Sequence, residues 1–251
     1  MLIVKALPQS PVVHQPKTID QQHLIQCLLH SPVKQVKLDL ALSAEQIEQW
    51  SNACQLAKKQ IFLSLPSASD LPQKRNQVCW QVKRSLEWLT ALILVMGLMP
   101  LMSLIALSLK LGGFKTILTS QWIVGERGRL FQIYRFQTPA NAWGHWMRRF
   151  RLDKLPQLGQ VLRGEMGLIG PRSYSLAQAT QLDPTLRPRL NALPGITGLK
   201  WRTLDLNVWS RCDLCYLSDW SLAGDALIFL SSLPRLILGT KFEQSSDGNL
   251  V

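Results

Sequence analysis

Apolar and polar positions alternate at short range through the first third of the chain, and past residue 87 the alternation gives way to one long apolar run. The N-terminal pattern predicts a strand over residues 2 to 6, a helix over 18 to 30, a strand over 34 to 42, a helix over 43 to 59 and a strand over 60 to 65. The middle strand rests on an imperfect alternation of Val33, Val36, Leu38 and Leu40 with Gln35, Lys37 and Asp39, the period-2 mark of a half-buried strand. Ser43 and Gln46 have the spacing of a capping box at the start of the second helix. Strands alternating with helices predict a small α/β unit over residues 1 to 66. The stretch from 67 to 82 opens with Ser, Asp and Pro and is read as a linker.

Residues 88 to 109 carry no formal charge and consist mostly of Leu, Ile, Val, Met and Ala. At about 1.5 Å per helical residue this run reaches roughly 33 Å, enough for a hydrocarbon core of about 30 Å. Pro100 lies in its middle, where a proline removes a helical hydrogen bond and favours a bend. Lys83 and Arg84 precede the run and Lys110 and Lys115 follow it, so charge gives no strong asymmetry for a single crossing. A simple span, a buried core helix and a bent segment that enters and leaves through one leaflet all fit this pattern. A second apolar stretch, 222 to 239, contains Asp225 and Arg235 and suits an interfacial or core helix better than a span.

Composition sharpens the membrane reading. The chain of 251 residues has 28 Lys+Arg against 16 Asp+Glu, a formal net charge of +12, and nine Trp. Such a charge attracts anionic lipid, nucleic acid or nucleotide phosphate, and tryptophan favours the boundary between apolar and wet surroundings. The basic, aromatic run 143 to 151 fits lipid headgroups better than nucleic acid, and nucleic acid is not expected as a partner. Common nucleotide loops are missing from the sequence: it has no Gly-x-x-x-x-Gly-Lys-Ser/Thr and no Gly-x-Gly-x-x-Gly after a strand. Cys212 and Cys215 form an isolated Cys-x-x-Cys without a second pair or a nearby histidine, and the five cysteines read as ordinary reduced thiols.

The densest chemistry lies in residues 151 to 172. Asp153 sits beside a proline-stopped turn, Gly164, Gly167 and Gly170 recur at short intervals, and Arg172 follows Pro171. Glycine permits close backbone approach to an anion and arginine grips phosphate through a planar fork, so the layout suits phosphoryl chemistry.

This stretch resembles the bacterial sugar transferase family, the monotopic phosphoglycosyl transferases that begin polysaccharide and glycoconjugate synthesis, of the exopolysaccharide-initiating type. The family signature, Ser-Leu-Asp-Glu-Leu-Pro-Gln-Leu followed by Gly-Asp-Met-Ser-Leu-Val-Gly-Pro-Arg-Pro, is matched here by Leu152, Asp153, Leu155, Pro156, Gln157, Leu158, Gly164, Met166, Leu168, Gly170, Pro171 and Arg172. Further blocks match at Gln121, Val124, Gly125, Gly128, Arg129 and Phe131, at 194 to 199, and at Asp213, Tyr216, Trp220, Ser221 and Leu222, so the likeness covers roughly residues 83 to 239. The pairing of a small α/β unit with a short transferase domain is also loosely similar to proteins of cyanobacterial heterocyst envelope polysaccharide synthesis.

The resemblance implies a mixed α/β chain in which a re-entrant membrane helix at 83 to 111 leads into a compact, mostly helical, cytosol-facing catalytic domain at 112 to 240, with a polar tail at 241 to 251. It implies transfer of a sugar phosphate from a UDP-sugar to a polyprenyl phosphate at the cytoplasmic membrane, with anionic lipid around the protein. Asp153 takes the nucleophile's position and that of a magnesium ligand. Arg129, Arg135, Glu165, Gly170, Pro171 and Arg172 take the substrate-binding positions. Residues 1 to 82 carry no chemical motif and are read as a regulatory unit or one that binds a protein partner.

The chain departs from the family pattern at specific places. Lys154 replaces the Glu of the family's Asp-Glu dyad, Arg135-Phe136-Gln137 replaces Lys-Phe-Arg, the loop from there to Gly144 is short, and Lys200-Trp201 replaces Trp-Gln. Protonated lysine cannot ligate magnesium but can supply part of a cation's electrostatic role. Three readings follow: an active variant, an enzyme with weakened magnesium dependence, or an inactive relative acting as a membrane scaffold or regulator of polysaccharide assembly.

Overall fold

A computed structural model of the chain describes residues 1–4, 21–66, 77–197 and 205–238, with only the backbone described for 21 and 232–238. Expectations placed on residues 5–6, 18–20, 67–76, 198–201 and 241–251, and on the side chain of Arg235, lie outside the described residues.

The N-terminal strands β1 (Leu2–Val4), β2 (Gln35–Leu38) and β3 (Gln60–Leu63) form a parallel sheet in chain order, joined through α1 (Gln21–His30) and α2 (Ala44–Leu56). Val36 and Leu38 point into the core at 0% exposure while Gln35 and Lys37 face outward, as their alternation predicts. Strand β2 stops at Leu38, short of the expected 42, because the Asp39 carboxylate accepts the Ala41 N–H at 3.2 Å and turns the chain. The expected capping box is present: the Ser43 hydroxyl accepts from Gln46 N at 3.2 Å, and Gln46 Oε1 accepts from Ser43 N at 3.1 Å.

Helix α3 runs from Gln77 to Leu111, so it begins inside the stretch read as a linker and is assigned continuously through Pro100. Among the described residues it alone is long and apolar enough to cross a membrane, with a mean hydropathy of 2.4 over its most apolar window. Leu89, Ile93, Met96, Met99, Leu104 and Leu107 are exposed along it.

Strands β4 (Leu118–Val124) and β5 (Leu130–Phe136) form an antiparallel hairpin, extended by β7 (Tyr174–Ser175) in the order β5-β4-β7, while β6 (Gly167–Ile169) pairs in parallel with β8 (Gly195–Thr197). Helix outweighs strand after residue 112, with α4 (Ala142–Arg149), α5 (Leu158–Leu162), α6 (Leu176–Gln181), α7 (Leu206–Ser218) and α8 (Leu222–Leu238), yet the hairpin is the element around which the rest packs. Its successive residues face opposite ways. Trp122, Val124 and Leu130 join one core with Val36, Leu38, Ile47, Leu63, Tyr174 and Leu182. Ile123, Phe131 and Ile133 join a second core with Ala91 of α3, Leu158, Val161 and Leu168. The N-terminal unit therefore shares its hydrophobic core with the following region.

Both halves of α3 lie against the same body. Ala91, Leu94, Val95 and Leu98 pack in the second core, and Ile105 and Leu109 pack with Phe136 and Met147 in a third.

Candidate active site

The approach to Asp153 is built by α4 and a tight turn. Asn141 caps α4 by accepting the Gly144 N–H at 3.0 Å, and a side chain at 144 would place its Cβ 1.8 Å from the Pro139 carbonyl, so only glycine fits there. After α4 the chain passes through Arg151 in a left-handed conformation, φ 55° and ψ 26°, a backbone state costing a non-glycine residue about 1 kcal/mol or more. The 3-10 turn Leu152–Gln157 follows, with Pro156 inside it, and runs directly into α5.

Asp153 is half-buried in that turn, which packs against β5. Burial raises its pKa above the usual carboxylate value, while the charges of Lys154, Arg135 and Arg151 pull it back down. The structure thus brings Asp153, Lys154 and Arg135 together, and adds Arg151, which sequence reasoning did not single out.

Arg129 and Glu165 meet in a separate, partly exposed pair at 3.8 Å. Gly170 answers to packing: a Cβ there would lie 2.9 Å from the Leu193 carbonyl and 3.0 Å from the Gly195 nitrogen, so the two backbones cross in contact. Pro171, next to it, is buried, and its carbonyl accepts the Gly195 N–H at 2.9 Å.

Arg172 stacks over the Trp209 ring at 4.0 Å, and its carbonyl accepts a hydrogen bond from Arg189. Arg189 is buried, forms an ion pair with Asp213 that includes Nε to Oδ2 at 2.9 Å, and lies over Tyr174 at 3.8 Å. The Tyr174 hydroxyl bonds the Ser210 hydroxyl at 2.7 Å. Arg172 is therefore held by a buried polar cluster drawn from β7, the 3-10 segment Pro184–Asn191 and α7. Asp213 was visible in the sequence as part of a matching block, but its partner Arg189 carried no motif signal.

A second cluster shows where Lys83 and Arg84, the basic residues before the apolar run, are placed. Lys83, 4% exposed, bonds Asp225 at 2.7 Å, and it donates to the Ile169 carbonyl at 2.9 Å. Asp225 also accepts from Tyr216 Oη and from Trp220 Nε1, and Trp80 meets Trp220 edge to face. Arg84 donates to Glu126 at 3.2 Å and to the Gly164 carbonyl at 2.8 Å. Lys83 is consumed inside the protein and Arg84 in a partly exposed pair, leaving Lys110 and Lys115 exposed at the other end.

No group of three or more His, Cys, Asp or Glu residues able to hold a metal occurs among the described residues. Around Asp153 the neighbouring charges are cationic, so the protein's own groups do not form a divalent-cation cage there. Two cavities of about 370 and 340 Å³ open elsewhere, one on the N-terminal sheet beside Lys37, Phe62 and Arg127 and one between α3 and Gly164, and Asp153 lines neither.

Comparison with known proteins matches the sequence of the chain to a described family. The profile described as bacterial sugar transferase matches residues 78–239. An undecaprenyl-phosphate glucose phosphotransferase of Komagataeibacter xylinus is 28% identical over 212 residues, covering 68% of this chain and 39% of the relative. A UDP-glucose:undecaprenyl-phosphate glucose-1-phosphate transferase of Caulobacter vibrioides is 31% identical over 185 residues, covering 62% of this chain and 69% of the relative. The exopolysaccharide production protein ExoY of Sinorhizobium fredii is 27% identical over 195 residues, covering 62% of this chain and 85% of the relative. The chain spans well under half of the Komagataeibacter relative and of a Streptococcus agalactiae galactosyl transferase, of which it covers 34%.

Proposed function

The chain belongs to the bacterial sugar transferase family, and from that membership we propose that it moves a sugar phosphate from a UDP-sugar to a polyprenyl phosphate, initiating polysaccharide or glycoconjugate synthesis. The observation that carries this reading is the Asp153 carboxylate, half-buried among Lys154, Arg135 and Arg151. An Asp153 oxygen attacks the sugar-linked phosphorus, the bond to the nucleoside monophosphate breaks, and that monophosphate leaves. A polyprenyl phosphate oxygen then attacks the same phosphorus, displaces the Asp153 carboxylate and forms the lipid diphosphate sugar. The surrounding cations stabilise charge on the transferring phosphoryl group. Arg129 and Arg172, with Glu165 beside Arg129, contact the donor diphosphate.

Magnesium enters only weakly. One carboxylate among cations is a poor resident site, so the ion's dependence is reduced and Lys154 supplies part of its charge. No step above passes through a metal.

Helix α3 is embedded from one side of the cytoplasmic membrane, with the catalytic region facing the cytosol. The support is that residues on both sides of Pro100 pack on the same hairpin and turn, whereas a face from Leu89 to Leu107 stays apolar and exposed. A helix crossing the bilayer would carry one of those halves away from the body. Stacked Trp143 and Trp146, 5.1 Å apart and followed by Arg148 and Arg149, suit anionic headgroups.

Lys154 favours one second reading, a catalytically impaired scaffold for polysaccharide assembly. Incubating membranes that contain the protein with UDP-sugars and polyprenyl phosphate separates the two. The enzyme reading expects nucleoside monophosphate release that falls by several orders of magnitude in Asp153→Asn. Equal silence of wild type and variant, with the protein folded and membrane-bound, leaves the scaffold.

A further inference from the structure

The residues that hold Arg172's loop from the membrane side carry no assigned role. Lys83 and Glu87 are one turn apart on α3, 3.7 Å from each other, and both are buried. They take the two backbone groups of one residue: the Lys83 ammonium donates to the Ile169 carbonyl at 2.9 Å, and the Glu87 carboxylate accepts the Ile169 N–H at 3.0 Å. Ile169 is the last residue of β6 and precedes Gly170, Pro171 and Arg172 directly. Gly167 makes the approach possible, since a Cβ there would meet Glu87 Oε2 at 3.0 Å. Lys83 is itself fixed by Asp225 on α8 and by the Trp80 and Trp220 rings at 4.9 and 5.6 Å.

A stabilising role alone would be served by apolar residues, which fill such a position without the cost of burying two charges. The ion pair instead presents an acceptor to the Ile169 N–H and a donor to the Ile169 C=O, which fixes the two successive peptide units that flank this residue. We propose that Lys83 and Glu87 are positioning residues: they tie the membrane-embedded helix to Ile169 and thereby set, through Gly170 and Pro171, where Arg172 meets the donor's diphosphate. This rests on the transferase reading above. The same helix also holds the other side of the site, because Arg84 donates to the Gly164 carbonyl between α5 and β6. How α3 sits in the lipid is thus transmitted to both ends of the 164 to 172 segment.

The test uses the full chain in lipid nanodiscs with Glu87→Leu, which fills the space but accepts nothing, and Glu87→Gln, which keeps an acceptor of similar reach. Amide hydrogen exchange at Ile169 and Gly170 should quicken about tenfold in Glu87→Leu, with α7 unchanged, on the scale of one lost buried hydrogen bond. The KM for the UDP-sugar should rise about tenfold with little change in kcat, since a displaced diphosphate grip weakens binding before chemistry. Glu87→Gln should recover most of both losses. Unchanged exchange at Ile169 overturns the tie, and quickened exchange with an unchanged KM overturns the positioning role. A wild type that turns over no donor sinks the transferase reading instead. The exchange result then still decides whether Glu87 holds Ile169.

Discussion

Replacing Arg189 by Leu should destabilise the protein more than most single changes, and the structure allows the size to be worked out. Arg189 and Asp213 are each 3% exposed. The substitution strands the Asp213 carboxylate without its cation, removes the donor to the Arg172 carbonyl and ends the stacking on Tyr174. Breaking a buried pair by removing one partner costs about 3–5 kcal/mol. For a chain of this size each kcal/mol moves Tm by roughly 2–4 °C, so a drop of roughly 6–20 °C is expected in thermal unfolding followed by tryptophan fluorescence in detergent micelles. The double variant Arg189→Leu with Asp213→Leu removes the stranded charge as well. It should recover most of the loss and stay about 1–2 kcal/mol below wild type for the unsatisfied Arg172 carbonyl. A single-variant shift under about 2 °C would refute the reasoning. So would a double variant that falls by the sum of its two singles, because uncoupled costs mean the two charges do not serve each other.

Three further outcomes are expected. In the proposed mechanism Asp153 attacks as the carboxylate, and burial raises its pKa, so turnover should fall with decreasing pH through a limb above the ordinary aspartate range; Lys154→Gln removes a charge that lowers this pKa and should move the limb to higher pH, and an unmoved limb would exclude Lys154 as the cause. The same sign gives stability: the neutral form is favoured in the folded state, so this group stabilises the fold as pH falls through the raised pKa. Lys154→Glu, measured with and without a chelator, should strengthen magnesium dependence, and equal turnover under both conditions would count against a metal role for this pair. Cysteines placed at 78 and 118 should react with an impermeant thiol reagent from the same side of sealed vesicles, whereas labelling from opposite sides would show a simple crossing.

Parts of this architecture were legible because they obey local rules. Ser43 and Gln46 announced the start of α2, the alternation around Val36 and Leu38 announced β2, and the block around Asp153 and Pro156 announced a turn with a carboxylate on it. The hairpin β4–β5 was not legible from periodicity. Trp122, Ile123 and Val124 are apolar in succession because both hairpin faces are covered, which erases the period-2 signal. The roles of Lys83 and Glu87 were not legible, since nothing nearby in the sequence discloses that Asp225 and the Ile169 backbone will meet them. Gly170 was read through phosphate approach, whereas its contact with Gly195 shows a packing demand that depends on two distant segments.

The two covered faces of the hairpin impose an order on how the chain matures. Residues 21 to 66 are made before the hairpin, and the core that α2 shares with the sheet is completed only when Trp122, Val124 and Leu130, and after them Tyr174 and Leu182, have been made. The long apolar helix is made between these two stretches. The N-terminal segment therefore waits with part of its apolar surface open until the hairpin is made, an interval in which chains are prone to aggregate.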